Sequence, residues 1–130
     1  MNRLSQGTTD VKLNGQVIEA IFSGSFNENA INEYARKIKA IIDTLHSAKF
    51  AMLVDDRAVE GGTPEAYAAL NKYNEWLNSQ ALVAKAFVID SSMTRSILKQ
   101  RTPALEKQNV AYFEDVAQAR EWLQNQLAAA

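Results

Sequence analysis

The chain of 130 residues is 47% hydrophobic and 22% charged with a formal net charge of −1, the usage of one globular domain with its own core and not of a disordered chain. It contains no cysteine, which excludes disulfides, thiol nucleophiles, iron–sulfur clusters and thiolate zinc sites. The near-neutral charge gives no general attraction to nucleic acid. Residues 1–10 lack the apolar region of a secretory signal, and no apolar run reaches the ~20 residues of a membrane span. A single cytoplasmic domain is expected, with residues 1–10 a loosely ordered leader.

Val11-Lys-Leu13 and Val17-Ile-Glu-Ala-Ile-Phe22 flank Asn14-Gly15. Asn-Gly between short apolar segments signals an antiparallel hairpin, because both turn residues need positive φ. Ser25-Phe-Asn-Glu28 has the form of a capping box, and Ile31, Tyr34, Ala35, Ile38, Ile41, Ile42 and Leu45 then recur at helical spacing to give one buried stripe. Phe50-Ala-Met-Leu-Val54 reads as a central strand covered on both faces. Asp55 and Asp56 are expected at its carboxyl end, with a glycine-bearing loop, Ala58–Gly62, to follow. Thr63 as cap, Pro64 at the first helical position and Glu65 near the positive end of the dipole mark the next helix. Ala66, Ala69, Leu70, Tyr73, Trp76 and Leu77 carry its apolar face.

Ala84-Lys-Ala-Phe-Val-Ile89 is a further strand, and Asp90-Ser-Ser92 caps a helix reaching about Lys99 to Arg101, where Pro103 interrupts it. Val110-Ala-Tyr-Phe113 is the last strand. Asp115 with Gln118 caps the closing helix, whose stripe is Val116, Ala119, Trp122, Leu123 and Leu127. The order β-β-α-β-α-β-α-β-α predicts a single-domain α/β fold, a mostly parallel sheet behind an opening hairpin.

Ligands of open α/β sheets dock at the carboxyl ends of strands, which directs attention to Asp55, Asp56, Arg57, Gly61, Gly62, Thr63 and Tyr67. Paired carboxylates could hold magnesium, but strand neighbours point to opposite faces, and Arg57 is at hand as a partner. Gly61-Gly62-Thr63 lacks the lysine of a phosphate-binding loop, and Pro64 removes a donor, so Thr63 reads as a cap. Ser91 and Ser92 have no base within plausible reach, since the sole histidine, His46, ends the first long helix. No catalytic residue, cofactor or metal site is expected. Tyr67 with Asn71, Asn74 and Asn78 could form a polar-aromatic flank for a partner, or Tyr67 could pack inward.

Phe22-Ser-Gly24, Met52-Leu-Val-Asp-Asp56, Ala86-Phe-Val-Ile89, Tyr112-Phe-Glu-Asp115 and Ala119-Arg-Glu-Trp-Leu123 together resemble the SpoIIAA-like family. These are bacterial relatives of the anti-sigma-factor-antagonist (STAS) domain, with a fold also compared with CRAL-TRIO lipid-carrying domains. The resemblance implies a non-catalytic regulatory module that binds another protein. Phosphorylatable antagonists carry a serine in an Asp-Ser-Ser-type motif after the central strand. Here that place reads Asp55-Asp-Arg-Ala-Val-Glu-Gly-Gly-Thr63, longer and without serine, so Thr63 is the one candidate for phosphorylation. Asp90-Ser-Ser92 follows a later strand.

Two functions therefore stand as expectations. The first is a protein-interaction or regulatory module using Asp55–Thr63 and the second long helix. The alternative is a carrier or sensor of a small apolar ligand or lipid, held between sheet and helices by residues such as Phe22, Phe50, Phe87, Tyr73 and Trp76. A homodimer is compatible with either.

Overall fold

A computed structural model describes residues 7–130. Of the expected loose leader, residues 1–6 lie outside the described residues, whereas Thr8, Thr9 and Asp10 belong to the first strand. Strands β1 (Thr8–Asn14) and β2 (Val17–Phe26) form the antiparallel hairpin, closed at Asn14↔Val17, so the turn residues are Gly15 and Gln16 in place of the expected Asn14 and Gly15, and of these Gly15 alone has positive φ (63°). Helix α1 (Glu28–Thr44), β3 (Phe50–Gly62), α2 (Pro64–Leu77), β4 (Leu82–Val88) and α3 (Ser92–Arg101) follow. A 3-10 turn (Pro103–Lys107), β5 (Val110–Phe113) and α4 (Val116–Ala129) complete the chain.

The five strands lie side by side in chain order, β2 to β5 parallel. Because the order never reverses, successive right-handed crossovers deliver α1, α2 and α3 to the same face, and α4 covers part of the other face over β3 and β4. The sheet thus separates two apolar clusters. Ile18, Ala20, Phe22, Phe50, Met52, Val54 and Phe87 meet α1 and α2 through Ile31, Tyr34, Ile38, Tyr73 and Leu77. Val17, Ala51, Leu53, Ala84, Ala86 and Val88 meet Ala119 and Leu123 of α4. At ~1.5–3 kcal/mol per large buried side chain, the first cluster is the main source of cohesion, since it holds nearly all the aromatics.

Local expectations are corrected at two places, in β2 and in β3. Ser25 does not cap α1: β2 runs on to Phe26, and Asn27 is the cap, its Oδ1 accepting from Ala30 N–H at 2.9 Å. The expected loop Ala58–Gly62 is instead the last part of a 13-residue strand. It pairs with the extended end of β2 (Ala58↔Ser23, Val59↔Gly24, Gly61↔Ser25, Gly62↔Phe26) across two register shifts. Polar composition hid this strand, because its pairing partner lies far back in sequence. As expected, α3 ends at Arg101 just before Pro103, which opens the 3-10 turn.

Candidate functional site

The local grammar around Asp55 comes from strand period. From Phe50 to Asp56, before the register shifts, odd residues of β3 face α4 and even residues face α1 and α2, as Leu53 and Val54 show. Asp55 is buried on the α4 side, where its Oδ1 accepts from Arg57 N–H (3.1 Å) and Nε (3.0 Å) and its Oδ2 from Nη2 (2.7 Å). These guanidinium hydrogen bonds hold its carboxyl below the usual carboxylate range, against the effect of burial. Asp56 faces the opposite way. The two carboxylates therefore diverge and cannot share one metal ion, and no cluster of three potential metal ligands exists among the described residues.

Asp56 is half-buried in the wall of a cavity of about 50 Å³ between the sheet and α1, α2 and α3. Phe22 and Phe26 of β2, Ile31 and Tyr34 of α1, and Phe87 of β4 supply apolar surface. The distal half of β3 adds Val59, Gly61 and Gly62, while α2 adds Ala66, Tyr67, Leu70, Tyr73 and Asn74 and α3 adds Thr94 and Leu98. Aromatic rings stack this wall edge to face: Phe22 lies 4.5 Å from Tyr34, and Tyr34 5.2 Å from Tyr73, by ring centroids. Tyr67 is half-buried over Gly62, where a Cβ would stand only 3.1 Å from its ring.

Lys85 is the charged residue drawn deepest into this wall. It is 2% exposed, in the middle of β4. Its Nζ donates to Asn74 Oδ1 at 2.7 Å and stands 5.8 Å from the ring centroids of both Tyr73 and Phe87. The same Asn74 oxygen accepts from Gln108 Nε2 at 3.1 Å, and Asn74 Nδ2 donates to the Leu70 carbonyl at 3.0 Å. Lys85 takes part in no ion pair among the described residues. Burial lowers its pKa to about 7, opposed by the charge of Asp56. Burial likewise raises Asp56 to about 7, reinforced by Asp55 and opposed by Lys85. Burial also pushes the Tyr34 and Tyr73 hydroxyls up, so both are neutral donors at physiological pH.

Of the residues singled out in the sequence, Asp56, Gly61, Gly62 and Tyr67 meet in this wall. Asp55 and Arg57 pair behind the sheet. Thr63 caps α2, its Oγ1 accepting from Ala66 N–H at 3.1 Å. The anticipated lining residues Phe22, Tyr73 and Phe87 are present, but Phe50 is core and Trp76 packs at the rim of the core with Lys39 Nζ 4.9 Å above its ring. The asparagine flank of α2 is engaged within the chain. Asn71 accepts from Ala104 N–H, Asn78 donates to the Ala104 carbonyl, and Asn74 holds Lys85. His46 precedes β3 and Ser91 follows β4, so they sit at opposite ends of parallel strands, with Ser91 capping α3. Lys85 and Tyr34 were missed as site residues. The signal for Lys85 is visible in hindsight: a lone lysine inside the apolar run of a central strand must be buried.

An apolar wall with a few converging polar groups is the usual form of a small-molecule site. At ~10–15 Å³ of such volume per water, 50 Å³ admits a handful of heavy atoms.

The SpoIIAA-like family model matches residues 17–124, and the chain belongs to that family. Among solved structures it is similar to an uncharacterised protein from the DUF3478 family with a SpoIIAA-like fold from Shewanella loihica PV-4, with 12% identity, a TM-score of 0.66 and coverage of 95% of this chain and 98% of that one. It is also similar to an anti-sigma factor antagonist from Mycobacterium paratuberculosis, with 19% identity, a TM-score of 0.64 and coverage of 91% and 94%. Both likenesses are of fold. No curated protein sequence matches the chain. No helix among the described residues is long and apolar enough to cross a membrane.

Proposed function

We propose that this chain is a cytoplasmic, non-catalytic regulatory module that binds a small, largely apolar ligand in the cavity and a protein partner over the distal half of β3 and the start of α2. One observation carries the reading: Gly61, Gly62 and Tyr67, which border the outer surface, are also the cavity wall. A ligand beneath them alters the surface above them, so occupancy and partner binding become linked. The fold shared with an anti-sigma factor antagonist supports the regulatory part. Thr63 is exposed at the same edge and at a helix N-terminus, where a phosphate would be stabilised. Phosphorylation there would act on the same surface.

The test is mass spectrometry of the protein from its own host under native and denaturing conditions, followed by organic extraction. A surplus mass that is present natively, lost on denaturation and recovered in the extract is the expected result. A bare chain in both spectra, with a blank extract, contradicts the ligand part.

A further inference from the structure

We infer that the ligand of this cavity is a small organic monoacid, its carboxylate received by Lys85 Nζ and its apolar body lodged among Phe22, Tyr73 and Phe87. The inference rests on the ligand-binding reading above and names the chemistry of that ligand.

Its basis is an incomplete set of partners around a buried cation. An ammonium has three N–H donors. Lys85, 2% exposed, satisfies one of them on a neutral amide oxygen, Asn74 Oδ1 at 2.7 Å, and forms no ion pair among the described residues. A buried charge left in that condition is costly, and a paired and hydrogen-bonded one is not. The wall around Nζ is aromatic, with Tyr73 and Phe87 each 5.8 Å away. An incoming carboxylate would supply both the missing acceptors and the counter-charge.

The surrounding charges narrow the class. Asp56 lines the same cavity, so a dianion such as a phosphate monoester would meet a single cation with an acid beside it. An amine ligand would meet the buried lysine. A monoanion fits, with Asp56 protonated beside it. The cavity volume of about 50 Å³ restricts the enclosed part to a short or branched body.

The titratable groups facing Nζ are Tyr34 from α1, Asp56 from β3, and Tyr67 and Tyr73 from α2. From α3, Arg101 acts on Tyr67. The tyrosines stay neutral because burial raises them, so the proton inventory of binding is set by Lys85 and Asp56. The complex holds both in their protonated forms. Above about pH 7 the free pair holds fewer protons than the complex, so affinity falls roughly tenfold for each proton taken up per pH unit.

The test is calorimetric titration of the whole chain with isobutyrate and with its neutral isostere isobutyramide, at about pH 6.5 and about pH 8, repeated on Lys85→Met. The expected result is isobutyrate bound at least about tenfold more tightly than the amide at the lower pH, weakened about tenfold or more at the higher, and reduced to the level of the amide in Lys85→Met. Amide binding as tight as acid binding would overturn the monoacid inference while leaving the ligand-binding reading in place. Failure of both probes overturns the monoacid inference, and the mass-spectrometric test above then decides the ligand-binding reading. If Lys85→Met does not fold, the acid-to-amide ratio and the pH slope of the unsubstituted chain decide the matter alone.

Discussion

Asp55 and Asp56 share a peptide bond and face opposite sides of the sheet, one bound to Arg57 and the other set in the cavity wall. Their titration is driven in opposite directions, Asp55 below its ordinary value and Asp56 above it. Each has its own consequence for stability.

For Asp55 the folded-state pKa is below the ordinary value of 3.8. Its pairing with Arg57 therefore contributes stability that is complete above that value and lost as pH falls through the lower folded one. Arg57→Ala should lower Tm across the neutral region and flatten the acid limb below about pH 4, the two chains converging where Asp55 is protonated. An unchanged acid limb would mean that the backbone N–H of Arg57 alone holds the carboxylate.

Asp56 and Lys85 produce a different profile. Asp56 is raised from 3.8 to about 7, so the folded chain binds the extra proton in that window and stability falls as pH rises across it. Lys85 is lowered from 10.5 to about 7, so the unfolded chain binds the extra proton between those values and stability rises again with pH. Together they place a minimum near neutrality. Replacing both, Asp56→Asn with Lys85→Met, should remove the minimum and raise stability at pH 7 by about 1–4 kcal/mol, as for other buried charges exchanged for neutral groups. Urea denaturation at several pH values measures this. A loss of stability at pH 7 would show that the two charges are already well compensated.

How far the sequence speaks is visible in these same residues. Thr63 and Pro64 announced the start of α2 because capping is a local interaction, three residues in reach. The divergence of Asp55 from Asp56 followed from the two-residue period of a strand. The length of β3 did not follow, since Asp55–Gly62 is extended only by virtue of pairing with Ile21–Phe26. Lys85 stood in plain view between Ala84 and Ala86, but which face it used, and that Asn74 and not a carboxylate would meet it, depended on the packing of α2 on the sheet. Glu19 is a parallel case: an acid in the apolar β2 run, 6% exposed, held by Arg120 of α4 at 3.0 Å across 101 residues of chain.

The start of α1 gives a direct comparison between the local reading and the fold. Asn27 caps the helix and Ser25 is a strand residue. Asn27→Ala should cost about 1 kcal/mol, the usual value of a lost cap. Ser25→Ala should cost less than about 0.5 kcal/mol. Chemical denaturation of the two variants side by side checks the order, and the reverse order would restore Ser25 as the cap.

The turn of the hairpin is equally specific. Gly15 has φ 63° with open space where a Cβ would go. Gly15→Ala should therefore destabilise through backbone conformation and not through a clash, by about 1–2 kcal/mol. Gly15→Asn should recover part of the loss, because asparagine tolerates that region. Thermal melts of the two variants distinguish these causes, and equal losses would point to a steric one.

The measurement that bears most directly on the cavity is an NMR titration of the isotope-labelled chain with isobutyrate at about pH 6.5, following backbone amides and aromatic side chains. Saturable shifts confined to Phe22, Tyr34, Asp56, Tyr73, Lys85 and Phe87, with Ala119 and Leu123 beneath α4 unmoved, are the expected result. Shifts scattered over exposed lysines such as Lys12 and Lys49, or none that saturate, would contradict a built ligand site on this face of the sheet.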